Sequence, residues 1–260
     1  MMTEKAVARI RVTVMLGNSL TDRDTLAVLE LLQPESPAEV LGLYIEDSEL
    51  LSLADIPVVR EYCLLTQVER RLQAGELERQ FRAQARIAEQ ALARAASPRG
   101  YPWSFRSLRG DPVVLLREML AEVDLMLLGA AAGMTPATRR RGGGAAGRPV
   151  MAVFDQAEPA TRALQVAMQL ADAGRTRLVI VLTAAHPDEL PALRQRAAGL
   201  VGDRPAEYLE LTSRDTADLL SQLRRQVAGQ LVIGVPAEKL DDETIALLRN
   251  RSACPVVLVR

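Results

Sequence analysis

Short apolar runs alternate with helical patterns along almost the whole chain. The runs are rich in Val, Ile and Leu and lack polar alternation, so they predict strands that are buried on both faces. In order, these strands are Ile10–Leu16, Val40–Ile45, Trp103–Leu108, Leu125–Gly129, Val150–Phe154, Leu178–Leu182, Glu207–Leu211, Leu231–Val235 and Val256–Val259. The helical period predicts helices at Leu26–Leu32, Pro112–Val123, Pro159–Ala173, Glu189–Leu200, Ala217–Val227 and Glu243–Asn250. The alternation predicts an α/β fold with mostly parallel sheets and helices on both faces.

A repeat divides the chain into two similar parts. The run Asp111-Pro-Val-Val-Leu115 before one predicted strand matches Asp215-Thr-Ala-Asp-Leu219 before another. Each Asp is placed to cap its helix by accepting backbone N–H bonds. The repeat therefore predicts two units, at residues 1–147 and 148–260, in place of one large domain.

A segment at about residues 48–97 interrupts the first unit between its second and third strands. Its apolar positions recur every three to four residues, at Leu64, Leu65, Val68, Leu72, Leu77, Phe81, Ala85, Ala88 and Leu92. This spacing predicts an amphipathic helix or helix pair, bent near Gly75. Two interpretations stay open: a helix that covers the sheet, and a helix that binds a partner or forms a dimer.

The composition narrows the classes of partner. The chain has 260 residues, with 32 Lys and Arg against 33 Asp and Glu and only 3% aromatic residues. Without a basic excess or a base-stacking surface, we expect no nucleic-acid partner. The longest apolar run is too short to span a bilayer, so we expect no membrane association. Two distant cysteines and a poor secretory signal predict a cytoplasmic location.

Few residues could support catalysis or metal binding. The single histidine, His186, would have to serve any Ser-His-Asp or Cys-His mechanism, and it lies in a predicted surface loop without a nearby nucleophile. Cys254, before the last strand, is expected to be buried. The acidic residues after the second strand match no calcium-loop spacing, and Asp47 is expected to cap the following helix. We therefore expect neither a metal site nor an enzyme.

Two segments carry a more specific pattern. One is Leu231-Val-Ile-Gly234, then a helix that ends near Pro255, then Val256-Val-Leu-Val259; the other is Val150 to Asp155 followed by Thr161 to Ala171. They resemble the closing and opening elements of the universal stress protein family, in its tandem, two-unit members. The resemblance covers nearly the whole chain outside residues 48–97. It implies two Rossmann-like units of the adenine nucleotide alpha hydrolase type, pairing between the units, and a homodimer.

The resemblance also implies candidate nucleotide-binding residues, which the first unit matches in part. ATP-binding members have an Asp at the end of the first strand and a loop spaced Gly-two-Gly-nine-Gly, then Ser or Thr, after the fourth strand. Glycine there lets backbone N–H groups approach phosphates closely. Gly133 and Gly143 keep the nine-residue interval, but Gly129 stands one residue early and Gly144 replaces the Ser or Thr. At the end of the first strand, Gly17-Asn18 replaces the Asp.

The second unit matches the other half of the motif. Asp155 follows its first strand, as in the ATP-binding members, but its fourth strand runs into Val235-Pro236 with no glycine loop. The candidate cofactor-binding residues are therefore Gly129, Gly133, Gly143, Gly144 and Asp155, divided between the units. Three arginines, Arg139 to Arg141, lie in the first unit's loop, where they could contact phosphates or face solvent.

One helix and one strand of the family pattern have no counterpart at the end of the first unit. Only Gly144–Arg148 separate its loop from Val150–Phe154, which could serve as the first unit's last strand or the second unit's first. Because family members usually pair through that last strand, its loss would alter how the units associate.

The leading hypothesis for function is a non-enzymatic stress-response or regulatory protein with a degenerate nucleotide site and no cofactor. One alternative is an ATP-binding protein, or slow ATPase, that uses the Gly133–Gly144 loop. Another is an interaction module that binds an unknown protein partner through the amphipathic segment at 60–96.

Overall fold

The computed structural model describes residues 9–17, 19–32, 38–63, 67–131, 147–213, 215–236 and 240–260. In the first half of the chain the elements are β1 (Ile10–Leu16), α1 (Ser19–Leu31), β2 (Ala38–Asp47), α2 (Ser48–Ala54), β3 (Arg60–Cys63), β4 (Val68–Arg71), α3 (Ala74–Ala96), β5 (Trp103–Gly110), α4 (Pro112–Leu120) and β6 (Leu125–Leu128). In the second half they are β7 (Val150–Phe154), α5 (Glu158–Ala173), β8 (Leu178–Thr183), α6 (Leu190–Val201), β9 (Ala206–Leu211), α7 (Thr216–Arg225), β10 (Gln230–Gly234), α8 (Asp242–Arg251) and β11 (Val256–Val259). The predicted α/β alternation is confirmed.

Nine of these strands form one continuous sheet in the order β5-β2-β1-β6-β11-β10-β7-β8-β9. Within this sheet, the strands of each half are parallel to one another. The halves meet where β11 pairs with β6 in antiparallel register, with Val256 opposite Leu128 and Val259 opposite Leu125. Because of this one antiparallel pair, first-half strands end at one edge of the sheet and second-half strands end at the opposite edge.

Helices cover both faces of the sheet, as the uninterrupted apolar strands require. One core packs under α1, α3, α5 and α6, and the other under α4, α7 and α8. All residues of β6, β7, β8 and β11 are buried. Among the described residues, no helix is long and apolar enough to cross a membrane.

The two repeated aspartates have the predicted capping role. Asp111 accepts backbone N–H bonds from Val113 and Val114 at the start of α4. Asp215 does the same for Ala217 at the start of α7. The repeat in sequence is therefore a repeat in local structure.

The predicted amphipathic helix or helix pair is wrong over the first of its apolar positions. Val68 lies in the β3–β4 hairpin and Leu72 follows it, whereas Leu64 and Leu65 lie outside the described residues. Nor does Gly75 mark a bend, because it lies in the first turn of α3. A three-to-four-residue spacing over so short a stretch is compatible with a hairpin too.

The second part of the segment is a helix that covers the sheet. Helix α3 buries one apolar face, formed by Leu77, Phe81, Ala88, Leu92, Ala95 and Ala96. It packs on β2 at Gly42, where a Cβ atom would lie 2.5 Å from Leu92 Cδ2. A glycine at this position lets the helix approach the strand closely.

The described residues between β6 and β7 contain no helix or strand. Strand β7 pairs with β8 and β10, so it serves as the first strand of the second half. Strand β6 pairs with β1 on one side and with β11 on the other. The last strand of the second half thus occupies the place beside β6 that a fifth strand of the first half would take.

Candidate functional site

A cleft of about 310 Å³ lies where β1, β2 and β6 end. Carboxyl ends of neighbouring parallel strands are the usual place for a ligand in an open α/β sheet. The described residues around it include Gly17, Asp22, Tyr44, Asp47, Phe81, Gln84, Gly129, Ala130, Arg249 and Asn250. The last two come from α8, so the second half of the chain forms one wall of a first-half cleft.

Asp22 places a buried carboxylate in this cleft. It lies in the first turn of α1 and is only 7% exposed. Its two carboxylate oxygens accept the backbone N–H of Gly17 at 3.1 and 3.3 Å. A carboxylate is stabilised near a helix N-terminus by the helix dipole, which accounts for an acid at this position.

Tyr44, near the end of β2, lies in this cleft, and its pKa depends on the neighbouring charges. Its hydroxyl donates to Gln84 Oε1 at 2.9 Å, and its ring meets that of Phe81 edge-on. Burial, together with the negative charges of Glu46 and Asp22, raises the pKa of Tyr44 to about 12. The space around the phenol is therefore both poorly solvated and negative in potential.

Asp47 is a second carboxylate in the cleft, and it also contacts the second half of the chain. One oxygen accepts the N–H groups of Glu49 and Leu50 and so caps α2, as predicted. The other oxygen lies 3.9 Å from Nη2 of Arg249, in the last turn of α8. A backbone bond from Ala131 N–H to the oxygen of Ser252, at 2.8 Å, joins the halves beside the same wall.

Gly129 is the predicted site residue that the structure places in this cleft, just after β6. Gly133, Gly143 and Gly144 lie outside the described residues, as do Arg139 to Arg141. The glycine-loop hypothesis for those positions stays a prediction.

Asp155 lies at the opposite edge of the sheet, because β7 runs against β6. Its carboxylate accepts the N–H of Ala157 at 2.8 Å and forms the turn into α5. Arg196 of α6 stacks over the Phe154 ring and donates to Thr161 Oγ1 at 3.1 Å, which holds this turn in place. Of the candidate residues that the structure describes, Gly129 and Asp155 therefore lie at opposite edges of the sheet.

The start of α5 packs against β10 beside Asp155. Gly234, at the end of β10, packs so closely on α5 that a Cβ atom would lie 2.4 Å from the carbonyl carbon of Pro159. This close approach positions the first turn of α5 against β10, next to the turn that Asp155 forms.

The remaining candidate residues have structural surroundings. His186 is exposed and precedes a short 3₁₀ turn, Pro187–Glu189. Cys254 is buried, and burial raises the pKa of its thiol to about 12, so a thiolate is disfavoured. Within the described ranges, no group of three or more His, Cys, Asp or Glu side chains is placed to hold a metal ion.

Comparison with known proteins bears on the fold. No protein-family model matches the chain, and no curated protein matches it significantly. A universal stress protein from Archaeoglobus fulgidus aligns with 95% of this chain and 96% of its own, at 12% identity and a TM-score of 0.54. This chain has the universal stress protein fold.

Two further solved structures are similar at lower scores. A putative universal stress protein from Pseudomonas aeruginosa covers 98% of this chain and 93% of its own, at 12% identity and a TM-score of 0.48. A universal stress protein in complex with cAMP covers 44% of this chain and 98% of its own, at 25% identity and a TM-score of 0.38.

The sequence motifs did not include four of the residues that line the cleft. Asp22, Tyr44, Gln84 and Arg249 belong to no glycine-loop or strand-end signature. The available signal was weak: an Asp in the first turn after a strand–glycine junction, and a Tyr in an otherwise aliphatic strand. Arg249 could not be found locally, because it reaches the cleft only through the antiparallel pairing of β6 and β11.

Proposed function

We propose that this protein is a non-enzymatic, cytoplasmic regulatory protein of the universal stress type, with a degenerate nucleotide site that disfavours ATP. The observation that carries the proposal is the negative charge of the first-half cleft. Among the described residues that line the cleft, Asp22 and Asp47 are acidic and Arg249 is basic. A triphosphate entering this cleft would meet like charge in a poorly solvated space.

Three backbone N–H groups in the described part of the cleft are also occupied. Phosphates bind at helix N-termini through free backbone N–H groups. Here the N–H groups of Glu49 and Leu50, at the start of α2, are bonded to Asp47, and that of Gly17 is bonded to Asp22. To bind these N–H groups, a phosphate would have to displace from each of them a carboxylate that is a side chain of the protein itself.

The second half supports the same conclusion. Asp155, the candidate residue of this half, already accepts the N–H of Ala157 in the turn before α5, and the sequence has no glycine loop after β10. We therefore propose that residues 148–260 act as a structural unit, which pairs with residues 1–147 through β11 and contributes Arg249 to their cleft. The exposed position of His186 is in keeping with a protein that does not catalyse a reaction.

Calorimetry of the full chain with Mg²⁺ and ATP tests the proposal. We expect no saturable heat up to millimolar ATP. Asp47→Asn should then raise the affinity for ATP, because Asn retains the cap on α2 but removes the charge. Asp215→Asn is the matched control, since it changes an equivalent cap on α7 in the second half.

A second candidate function is ATP binding through the Gly133–Gly144 loop. It is favoured by the position of Gly129, which brings the start of this loop to the cleft. Micromolar ATP binding by the unaltered chain, abolished by Gly133→Val but not by Gly199→Ala, would establish this function and overturn the degenerate-site proposal.

A further inference from the structure

The β3–β4 hairpin is an exposed two-stranded ribbon. Each strand has only four residues, and every residue of β4 is exposed. Apolar side chains on and next to it are open to solvent, with Val58 83%, Tyr62 57% and Val68 54% exposed. A two-stranded hairpin with so little buried surface is marginally stable in water, so a further strand would stabilise it.

The outer edge of β4 offers a defined set of hydrogen-bonding groups. The N–H of Leu72 bonds to the oxygen of Val59 at 3.2 Å, which makes these two residues a hydrogen-bonded pair of the hairpin. Such pairs alternate along an antiparallel ladder, so Arg70 and Val68 also bond towards β3. The backbone N–H and C=O groups of Glu69 and Arg71 therefore point away from β3.

We propose that this edge pairs antiparallel with the same edge of a second copy of the chain. Since only Glu69 and Arg71 present outward groups, they must form the hydrogen-bonded pairs of any such ladder. With the two-fold axis at Arg70, Glu69 lies opposite Arg71 of the second copy, twice. The same register sets Val68 opposite Leu72, so Glu69 and Arg71 meet opposite charges and the apolar residues meet each other.

Neighbouring registers lack this complementarity. Shifting the axis to Glu69 places two glutamates opposite each other, and shifting it to Arg71 places two arginines opposite each other. In the favoured register Arg70 meets Arg70 of the second copy, but each one is already paired with Glu61 and Glu76 of its own chain. The side chains themselves therefore select a single register.

The outer edge of β3 is less suited to self-pairing. By the same alternation its outward groups belong to Arg60 and Tyr62. A two-fold ladder between them would set Arg60 opposite Tyr62 and would form no pair of opposite charges. This difference assigns the contact to β4 rather than β3.

The paired segment is short, well below the roughly 1,200 Å² of a standard stable interface, so the dimer should dissociate on dilution. Sedimentation velocity of the full chain over a range of concentrations measures this. We expect Glu69→Arg and Arg71→Glu each to raise the dimer dissociation constant about tenfold, because each change creates two like-charge pairs. The double variant E69R/R71E should restore dimerisation, whereas Glu89→Arg on α3 should have no effect.

Proline substitutions test the backbone geometry. Glu69→Pro removes an outward N–H that the hairpin does not use, so the monomer should retain its thermal stability while the dimer is lost. Arg70→Pro should instead destabilise the hairpin itself. A wild-type chain that stays monomeric at every concentration would overturn the proposal. So would a dimer that persists in E69R and E69P, because it would use another surface.

Discussion

Gly234 lies directly against the backbone of Pro159, where β10 meets the start of α5. A Cβ atom on Gly234 would be 2.4 and 2.5 Å from the carbonyl carbon and oxygen of Pro159, and 2.6 Å from the nitrogen of Ala160. These are backbone atoms, so a side chain cannot be accommodated by a simple rotation. The close approach of helix and strand depends on glycine.

Gly234→Ala should therefore destabilise the protein by about 1–3 kcal/mol, because α5 must shift on the sheet to make room for a methyl group. Thermal or urea unfolding measures the change. Gly199→Ala is the control: a Cβ atom there meets open space within α6. That variant should gain roughly 0.5–1 kcal/mol from helix propensity. Equal effects of the two variants would contradict the packing described.

Helix α3 provides a second test. Leu92 is fully buried between α3 and β2, whereas Ile87 on the same helix is exposed. We expect Leu92→Ala to cost about 2–5 kcal/mol of unfolding free energy. Ile87→Ala should stay within about 0.5 kcal/mol. Similar losses at the two positions would mean that α3 does not cover the sheet through this face.

In the 48–97 segment, the apolar pattern predicts the helix α3 but does not predict the β3–β4 hairpin. The apolar stripe from Leu77 to Leu92 was long enough to specify a helix and its buried face. The stretch containing Val68 and Leu72 was short, and its spacing suits either element. What settles the hairpin is pairing with Val59 and Cys63, which lie earlier in the chain. Such pairing has no periodic signal in a single segment.

Stability should fall at alkaline pH because two buried acids hold their protons more tightly in the folded state. The pKa values of Tyr44 and Cys254 are both raised to about 12, in each case chiefly by burial. Their stabilisation is complete below the ordinary values, about 9 for a thiol and 10 for a phenol. It is lost as the pH rises from there to about 12.

Urea unfolding at pH 8, 10 and 11 measures this loss. Tyr44→Phe and Cys254→Ala should each make stability less dependent on pH over that range, since each removes one of the titrating groups. A profile that stays equally steep in both variants would assign the alkaline loss to other residues.

The capping aspartates allow a paired prediction. Asp111→Ala and Asp215→Ala should each cost about 0.5–2 kcal/mol, because backbone N–H groups at the starts of α4 and α7 lose their acceptors. Asparagine at either position should restore most of the stability. If alanine were tolerated without loss at both, the observed hydrogen bonds would not contribute to stability.

The candidate site was predictable only where it depended on local pattern. Gly129 lies in the cleft because it directly follows a strong strand, and its role in binding stays a prediction. That Asp155 lies at the opposite edge depends on the direction of β11 relative to β6, which no local pattern encodes. Arg249 reaches the cleft through the same pairing. The charged residues that line the cleft are thus brought together only by the tertiary structure, although each of them can be read from the sequence.

The pairing of β6 with β11 also bears on how the chain is made. During synthesis, residues 125–128 leave the ribosome long before residues 256–259, which are their hydrogen-bonding partners. Until the last strand arrives, the first half carries an open, wholly apolar sheet edge, the kind of edge on which chains aggregate. Contacts between residues so distant in sequence also slow folding. We therefore expect this protein to depend on chaperones while it is being synthesised.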